Sequence, residues 1–403
     1  MSRALLLLCA FAFVSFVSPQ PLSAAPTKAE MQERLRAAED AQAERVKKML
    51  EQLTSGEGAV REQAARALSK IGRRAYKATP ALIEALASGD ALTRSAVATA
   101  LGRIGRKASK AVPALREALN DADNTVRLSV MYALYTMGSA ADSAAPALIA
   151  LLDDADARIR DAAARTLGRM GAGAALPLAD ALKSDNAQMR DGALAAIAGI
   201  GFRAEAATPA LVALLKHRDP AIRASAVNAL RRIGPKAATA TPALIETLSD
   251  EAMDVRIAAA QALGRFGDQA AAAAPALSTA LQSPNARLRA EAAFALSHIG
   301  GAAQNVLPTL LEFVGDANWD VRARAYAALV QVGTEAMPAM FIALKDEPDD
   351  LRRNELIDAI NTIGPPVPAE AVPVVRELLN HADDRVRFFA QAVLAHHEGR
   401  APY

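Results

Sequence analysis

The sequence predicts an all-α, right-handed solenoid of stacked helical hairpins, and two observations lead to this prediction. A pattern of mostly 33 residues recurs along nearly the whole chain of 403 residues, which is typical of a repeat architecture. Hydrophobic residues make up 52% of the chain but aromatic residues only 4%, as expected for narrow helix interfaces built on Ala and Leu. The single Cys excludes a disulfide framework, a thiolate zinc site and iron–sulfur chemistry. One elongated array therefore explains a length that would otherwise imply two or three domains.

Residues 1–25 have the organisation of a secretory signal peptide. Arg3 precedes an apolar stretch over residues 4–14, and Ser23, Ala24 and Ala25 provide the small side chains that signal peptidases accept. The apolar stretch is shorter than the roughly 20 residues of a membrane span. We therefore expect an exported protein, periplasmic or secreted. After removal of the signal it would have no transmembrane segment.

Residues 26–56 are predicted to form an N-terminal capping helix. Thr27 and Glu30 have the spacing of a capping box. Val46, Leu50 and Leu53 share one apolar face. Such a helix would cover the outer side of the first repeat, as terminal units of solenoids do.

Residues 57–382 contain ten copies of the repeat, and each copy is anchored by one Arg. Residues 60–72 and 222–234 show the pattern, in which apolar residues lie three, seven and ten positions after the Arg on one face of a helix. A Gly always lies eleven positions after the Arg and is expected to end this first helix in a left-handed turn. The anchoring residues are Arg61, Arg94, Arg127, Arg160, Arg190, Arg223, Arg256, Arg289, Arg322 and Arg353.

The start of each first helix is indicated by an Asp or Asn four residues before the Arg. Both residue types are favoured N-caps, because their side chains accept the free amides of the first turn. The predicted caps are Asp90, Asp123, Asp156, Asp219 and Asp349, together with Asn186, Asn285 and Asn318.

A Pro near the start of a second, shorter amphipathic segment completes each hairpin. A hairpin that is apolar on two sides can bury its surface only by stacking on its neighbours. Two connections, at residues 171–177 and 333–338, are shorter than the others and predict local changes in superhelical pitch. Residues 383–403 are predicted to form a partial terminal repeat and a tail, in which His397 and Glu398 replace the apolar residue and the Gly.

These motifs resemble the HEAT repeats, and within them the short bacterial form called phycobilisome-lyase-like. The opening D-x-x-V-R, the ending A-L-x-x-I-G and the second-helix motif P-A-L-x-x-A-L carry the resemblance over about residues 57–398. Ankyrin and tetratricopeptide repeats have similar periods, but their defining His and aromatic positions do not occur here. The resemblance implies a HEAT-like superhelix whose second helices line the concave face. There Glu84, Glu117, Glu246, Glu312 and Glu377 would form an acidic stripe.

The repeated Arg has two possible interpretations. A row of arginines could bind anions, or each Arg could pair with the capping Asp of its own or the adjacent repeat. The resemblance to HEAT proteins implies the second, since equivalent residues there bridge neighbouring repeats. A structural ladder also agrees with the small net charge of +2.

We expect neither enzymatic activity nor a cofactor or metal. The sequence contains no G-x-S-x-G, no H-E-x-x-H and no phosphate-binding glycine motif. The alternative is a HEAT-like metal-dependent hydroxylase or a lyase-type enzyme. Deoxyhypusine hydroxylase, a HEAT-like enzyme, holds two irons with several His-Glu pairs, whereas only His397 and Glu398 form such a pair here.

Charge is unevenly distributed along the array. Residues 61–120 contain twelve basic and four acidic residues, and residues 301–380 contain six basic and twelve acidic residues. The basic N-terminal end predicts binding of an acidic partner or an anionic polymer, and a solvated helix edge is the alternative. The candidate residues are Lys70, Arg73, Arg74, Lys77, Arg103, Arg106, Lys107 and Lys110.

Trp319 is the second type of candidate binding residue. It occupies a first-turn position where other repeats have Ala, Asn or Pro, so we expect it to be exposed. It could be a binding hot spot or could cover the edge of the next repeat. The sequence as a whole predicts a non-enzymatic scaffold or adaptor that presents an extended surface to protein partners in the cell envelope.

Overall fold

The structure is a computed structural model that describes residues 28–299 and 303–399. The predicted signal peptide, residues 1–25, lies outside the described residues, so export stays a prediction. The expected capping helix is present as α1 (Lys28–Ser55), which packs on the first repeat. Val46 and Leu53 of α1 are buried there. In the described ranges the chain consists of helices and short turns without any strand, which confirms the predicted all-α solenoid.

Each of the ten repeats contains a long first helix that carries the anchoring Arg. These first helices are α2 (Gly58–Ile71), α4 (Ala91–Ile104), α6 (Asn124–Met137), α8 (Ala157–Arg169), α10 (Ala187–Ile200), α12 (Pro220–Ile233), α14 (Met253–Phe266), α16 (Ala286–Ser297), α18 (Trp319–Val332) and α20 (Asp350–Ile363). The partial terminal repeat contains the equivalent helix α22 (Asp384–His397).

A shorter second helix follows each first helix except α22. The second helices are α3 (Thr79–Ser88), α5 (Val112–Ala118), α7 (Ala145–Ala150), α9 (Ala175–Ala181), α11 (Thr208–Leu214), α13 (Thr241–Thr247), α15 (Ala274–Ala280), α17 (Ala303–Phe313), α19 (Met337–Lys345) and α21 (Val372–Leu378).

In nine of the ten repeats the two helices are joined by a turn of 3₁₀-helix, and the connection between α16 and α17 includes residues outside the described ranges. Six of these connectors in the described ranges have seven residues, for example Gly105–Ala111. Ala108 and Ala111 of this connector are fully buried, so it belongs to the core. The shorter connectors expected after α8 and α18 are confirmed as Ala172–Ala174 and Gly333–Ala336. A third short connector, Ala369–Ala371, follows α20.

All eight predicted N-caps are confirmed. Asp90 accepts a hydrogen bond from the backbone amide of Thr93 at 2.7 Å, and Asn186 accepts one from the amide of Gln188 at 2.9 Å. The same arrangement occurs at each of the other predicted Asp and Asn residues. Asp383 caps α22 in the same way. The caps therefore fix where the first helices begin.

The Gly that ends a first helix has a positive φ at eight positions. Gly105, with φ 69° and ψ −141°, is representative. Its φ agrees with the prediction, but its ψ differs from the left-handed helical value of about +47°. This backbone region is available almost only to Gly. Gly171 is an exception with an extended backbone, and its amide donates to Oδ1 of Asp142 at 2.9 Å.

Successive first helices from α2 to α18 pack closely along their length, and we call this line of contacts the tight seam. A methyl carbon placed on Gly264 would lie only 2.9 Å from the Cα of Ala295 on the next first helix. One placed on Gly199 would lie 3.0 Å from the Cα of Gly168. Small residues therefore allow the backbones to touch.

The second helices pack on one another much less than the first helices of the tight seam do. Most second helices are about half as long as the first helices, as α5 with seven residues and α4 with fourteen show, so they have less length over which to touch. The expectation that the second helices line the concave face stays a prediction.

The packing changes near the C-terminal end, among α18, α20 and α22, and we call this part the open seam. There α18 and α20 contact each other less than any earlier pair of first helices, and α20 and α22 contact each other least. In the same layers, α19 and α21 pack more extensively than other successive second helices. The first helices thus separate at this end while the second helices stay packed.

Two helical stretches, 187–214 and 319–345, are long and apolar enough to pass a length-and-composition test for membrane spans. Each stretch contains a first helix, a connector and a second helix. Gly201 and Gly333 interrupt them with positive φ values, so neither is one continuous rod. We interpret both as parts of the solenoid core. The expected absence of a transmembrane segment stays a prediction.

Candidate functional site

The repeated Arg forms a ladder that holds the turns between repeats. Arg94 donates from Nε and Nη2 to the two carboxylate oxygens of Asp121, at 2.6 and 2.9 Å, and from Nη1 to the carbonyl of Gly89 at 2.7 Å. Asp121 also accepts the backbone amide of Asp123 at 2.9 Å. One Arg thus binds the turn before its helix and the turn before the next first helix.

The expected partner of this Arg needs a correction. In the pairs Arg94–Asp121, Arg127–Asp154 and Arg223–Asp250, the acid lies two residues before the next N-cap position. The capping Asp already uses its oxygens on backbone amides, so a different residue meets the Arg. Among the anchoring arginines of the described residues, Arg353 alone lies within ion-pair distance of a capping Asp. Its Nε is 3.3 Å from Oδ2 of Asp383.

Five of the described turns lack the acid. The corresponding positions hold Ser88, Ser184, His217, Ser283 and His381. The side chains of Ser184, His217, Ser283 and His381 each accept a hydrogen bond from the amide two residues later, as Asp121 does. The Arg still donates to turn carbonyls, as Arg289 does to the carbonyl of Ser283 at 2.9 Å. The shared element is therefore the Arg-to-turn contact, which supports a structural role for the ladder.

Hydrogen bonding lowers the pKa of several carboxylates of these turns. The guanidinium of Arg94 holds the pKa of Asp121 below its usual range, chiefly through the side-chain hydrogen bond. Backbone amides lower the pKa values of Asp90 and Asp123. These groups favour the folded chain only when they are ionised.

The eight basic candidates lie along one edge of repeats one and two. Lys70 and Arg103 are in the last turns of α2 and α4, where the partial negative charge of the helix end favours cations. The other six are in the connectors Gly72–Ala78 and Gly105–Ala111. All eight are exposed, and the elements that carry them contact one another. We call this group of side chains the basic edge.

Some members of the basic edge also have local roles. Arg103 lies over the ring of Tyr132 at 6.0 Å, and Lys107 lies over the ring of Tyr76 at 4.9 Å. Arg106 donates to the hydroxyl of Ser139 at 3.1 Å. Within the described ranges, Lys70, Arg73, Lys77 and Lys110 take part in no ion pair. The basic edge therefore contains cations that stack on aromatic rings and other cations that are available to bind an anion.

The acidic residues of the second helices are exposed as expected but partly neutralised. Glu84, Glu117, Glu246, Glu312 and Glu377 are all exposed. Lys345 Nζ lies within 2.5 Å of Glu377 Oε2, and Arg116 is 3.0 Å from Glu117. A continuous acidic stripe is therefore weaker than the sequence suggests.

Trp319 is exposed to 68%, as its first-turn position predicts. It lies at the first turn of α18, between two clefts on the first-helix side. The cleft toward α16 has a volume of about 280 Å³, and the cleft toward α20 has a volume of about 550 Å³. Exposure of a large aromatic ring beside two clefts is typical of a binding position.

The cleft between α18 and α20 contains residues that the sequence analysis did not select. Its walls include Tyr326 from α18, and Glu355 and Asp358 from α20. The sequence held one signal for this cleft. Tyr326 and Ile357 stand four residues after the anchoring Arg, where Ala is frequent in other repeats. Met131 and Leu194 occupy the same position within the tight seam, so this signal alone would not have identified the cleft.

His397 and Glu398 lie at the exposed end of α22. Across residues 28–299 and 303–399, no group of three or more His, Cys, Asp or Glu side chains is arranged to hold a metal ion. The described residues therefore offer no assembled ligand set for the hydroxylase alternative.

Comparison with solved structures shows the fold. Kap121p superposes with a TM-score of 0.58 at 15% identity, over 89% of this chain and 46% of that chain. Kap121p bound to Nup53p superposes with a TM-score of 0.57 at 15% identity, over 87% of this chain and 45% of that chain. The chain spans just under half the length of these structures.

Family models of helical repeats match most of the chain. The search of curated sequences gave no match. The model described as HEAT repeats matches residues 46–135, 175–241, 209–297 and 274–361, and a HEAT repeat model matches residues 145–174. The PBS lyase HEAT-like repeat matches residues 126–154. Together with the stacked hairpins, the matches show that the chain belongs to the HEAT-repeat family and includes the PBS lyase HEAT-like type.

Proposed function

We propose that the protein is a non-enzymatic scaffold or adaptor of the cell envelope that binds protein partners along its length. The observation that most supports this function is the pair of opposite surfaces at the two ends of one continuous stack. The basic edge lies on repeats one and two, and exposed Trp319 lies in a region of net negative charge. HEAT solenoids are generally non-catalytic scaffolds, and the similar Kap121p was solved in complex with Nup53p.

Crosslinking in the native envelope tests this proposal. A photoreactive amino acid would replace Ala323 beside Trp319 in one variant and Lys110 on the basic edge in another. We expect crosslinks to defined partner proteins from at least one position. A matched variant that carries the same group at exposed Ser278, on second helix α15, should give fewer. Identical, unspecific patterns from all three positions would overturn the scaffold function.

A second candidate function is binding of an acidic partner or an anionic polymer by the basic edge. It is favoured by four exposed basic side chains without ion pairs, Lys70, Arg73, Lys77 and Lys110. Like charges on neighbouring turns repel one another unless an anion neutralises them.

Charge reversal tests this second function. We expect the mature protein to bind heparin with an affinity that falls steeply with added salt. Glu substitutions at Arg73, Lys77 and Lys110 should abolish binding, whereas reversal of Arg232 and Arg265, which lie in later repeats, should reduce it much less. Binding that persists in the first variant would contradict a role for the basic edge.

A further inference from the structure

We propose that the cleft between α18 and α20 binds an extended segment of a partner protein through an Arg or Lys side chain. The inference rests on the proposed scaffold function and names the chemistry of the segment that one part of the scaffold recognises. The cleft is open, has a volume of about 550 Å³, and lies on the first-helix side of the open seam.

One wall of the cleft is aromatic. Trp319 and Tyr326 lie two helical turns apart on α18 and therefore on the same side of the helix. The hydroxyls of Tyr326 and Thr362 are 2.6 Å apart, so this contact joins α18 and α20 at one end of the cleft. The ring of Trp319 stays exposed at the other end. Such a ring accepts the aliphatic stem of Lys or Arg and attracts its charge.

The opposite wall is acidic. Glu355 and Asp358 are one turn apart on α20. In the described part of the chain, no Lys, Arg or His nitrogen lies within ion-pair distance of either carboxylate. Arg322 also lines the cleft, but its Nη1 donates to the carbonyls of Asp316 and Ala317 at 2.8 and 3.1 Å. The carboxylates are thus available to a cation supplied from outside.

The surroundings favour a basic segment as well. Residues 301–380 contain six basic and twelve acidic residues, and a negative field of this kind attracts positively charged chains. Asn361 and Thr362 also line the cleft. Their amide and hydroxyl groups can donate to and accept from the backbone of an extended segment.

The next cleft along the open seam suggests a second residue type in the bound segment. This cleft lies between α20 and α22, has a volume of about 560 Å³, and is lined partly by Ile357, Phe388 and Phe389. Adjacent helix layers are about 8–10 Å apart, and three extended residues span about 10 Å. When an Arg or Lys of the bound segment occupies the cleft between α18 and α20, the residue three positions away therefore reaches the cleft between α20 and α22. We expect that residue to be apolar.

The chain contains a single tryptophan, so the emission of Trp319 reports directly on the cleft. The probe is the heptapeptide Leu-Ser-Gly-Arg-Gly-Ser-Leu, which has the required spacing in either chain direction. We expect saturable quenching or a spectral shift of Trp319 emission in the mature protein. The same peptide with Glu in place of Arg should bind at least tenfold more weakly.

Three variants locate the interaction. Glu355→Gln with Asp358→Asn should weaken binding at least tenfold, because the cation loses both carboxylates. Phe388→Ala should weaken binding about threefold for the probe, with no effect on a peptide whose Leu residues are replaced by Ser. The control Glu312→Gln removes an exposed charge of α17 and should change nothing. Thermal unfolding should stay unchanged in all three, since these side chains are exposed or half-buried.

Equal binding of the Arg and Glu peptides, unchanged affinity in the Glu355→Gln, Asp358→Asn double variant, or no response of Trp319 up to millimolar peptide would each overturn the cleft proposal. Any of these results would leave the scaffold function intact if the envelope crosslinks form at Lys110. Loss of all specific crosslinks together with normal peptide binding would instead contradict the scaffold function alone.

Discussion

The tight seam and the open seam are made by the same repeat, and they differ in a few side chains. In the tight seam, Gly102, Gly168 and Gly264 occupy the position eight residues after the anchoring Arg, and neighbouring backbones touch. In the open seam, Val330 and Asn361 occupy this position, and the helices separate to leave clefts. Tyr135 and Arg231 occupy the same position within the tight seam, so this position contributes to the opening but does not determine it alone.

The largest effect is expected from filling the tight seam. Gly264→Val should lower the free energy of unfolding by about 3 kcal/mol. The new Cβ would clash with the backbone of Ala295, which cannot move aside as a flexible side chain could. Asn361→Val makes a related change at the equivalent position of the open seam and should alter stability by less than about 0.5 kcal/mol. Urea unfolding of both variants measures the difference. Equal losses would show that the two seams do not differ as described.

A smaller effect is expected from the Arg ladder. Arg94→Met should cost about 2 kcal/mol, since it removes three charge-assisted hydrogen bonds at a partly exposed site. Arg322→Met, at the open seam, removes contacts to turn carbonyls but no carboxylate pair and should cost about half as much. Chemical denaturation at low ionic strength gives both values. A larger loss for Arg322→Met would reverse this ranking.

Substitution of a connector Gly should lower the stability equally in the two regions. Gly105→Ala and Gly333→Ala each place a side chain at positive φ with nothing within 4 Å of the new Cβ. The cost is therefore backbone strain alone, about 1–3 kcal/mol in each variant, because residues other than Gly rarely adopt this combination of φ and ψ. Thermal unfolding of the two proteins tests this equality. If only one variant is destabilised, the difference between the regions extends beyond the seams.

The smallest effect is expected from the charge of Asp121. Its pKa is lowered in the folded chain by Arg94, so its contribution is complete above the unfolded pKa of about 3.9 and is lost as pH falls through the folded value. Asp121→Asn should therefore be less stable than the parent at pH 7, by less than Arg94→Met, and the difference should shrink as the pH falls below about 3.9. A difference that stays constant with pH would show that the charge of Asp121 is not involved.

The repeat architecture was predictable because its determinants are local. An Asp cap, a Gly at positive φ and a Pro near the second helix act within a few residues, so Asp90, Gly105 and their equivalents identify each element. The basic edge was also predictable, because Arg73 and Arg106 occupy the same place in adjacent connectors. Surface positions repeat with the period of the array.

The exact ladder partner and the cleft were less predictable, because each depends on contacts between repeats. Asp121 and Asp123 are both plausible partners of Arg94 in sequence, and only the turn geometry decides between them. Glu355 and Asp358 resemble ordinary solvent-exposed helix residues until the spacing of α18 and α20 is known. A repeat motif defines the features that all copies share, whereas sites arise where a repeat departs from it.

The weak packing of α20 against α18 and α22 has a mechanical consequence. Each layer of a solenoid is held only by its neighbours, so a pulling force on the chain ends acts on every layer junction in series. The junctions with the least buried contact extend first, and here they lie beside Trp319. Tension on this protein would therefore change the C-terminal clefts before it disturbed the basic edge.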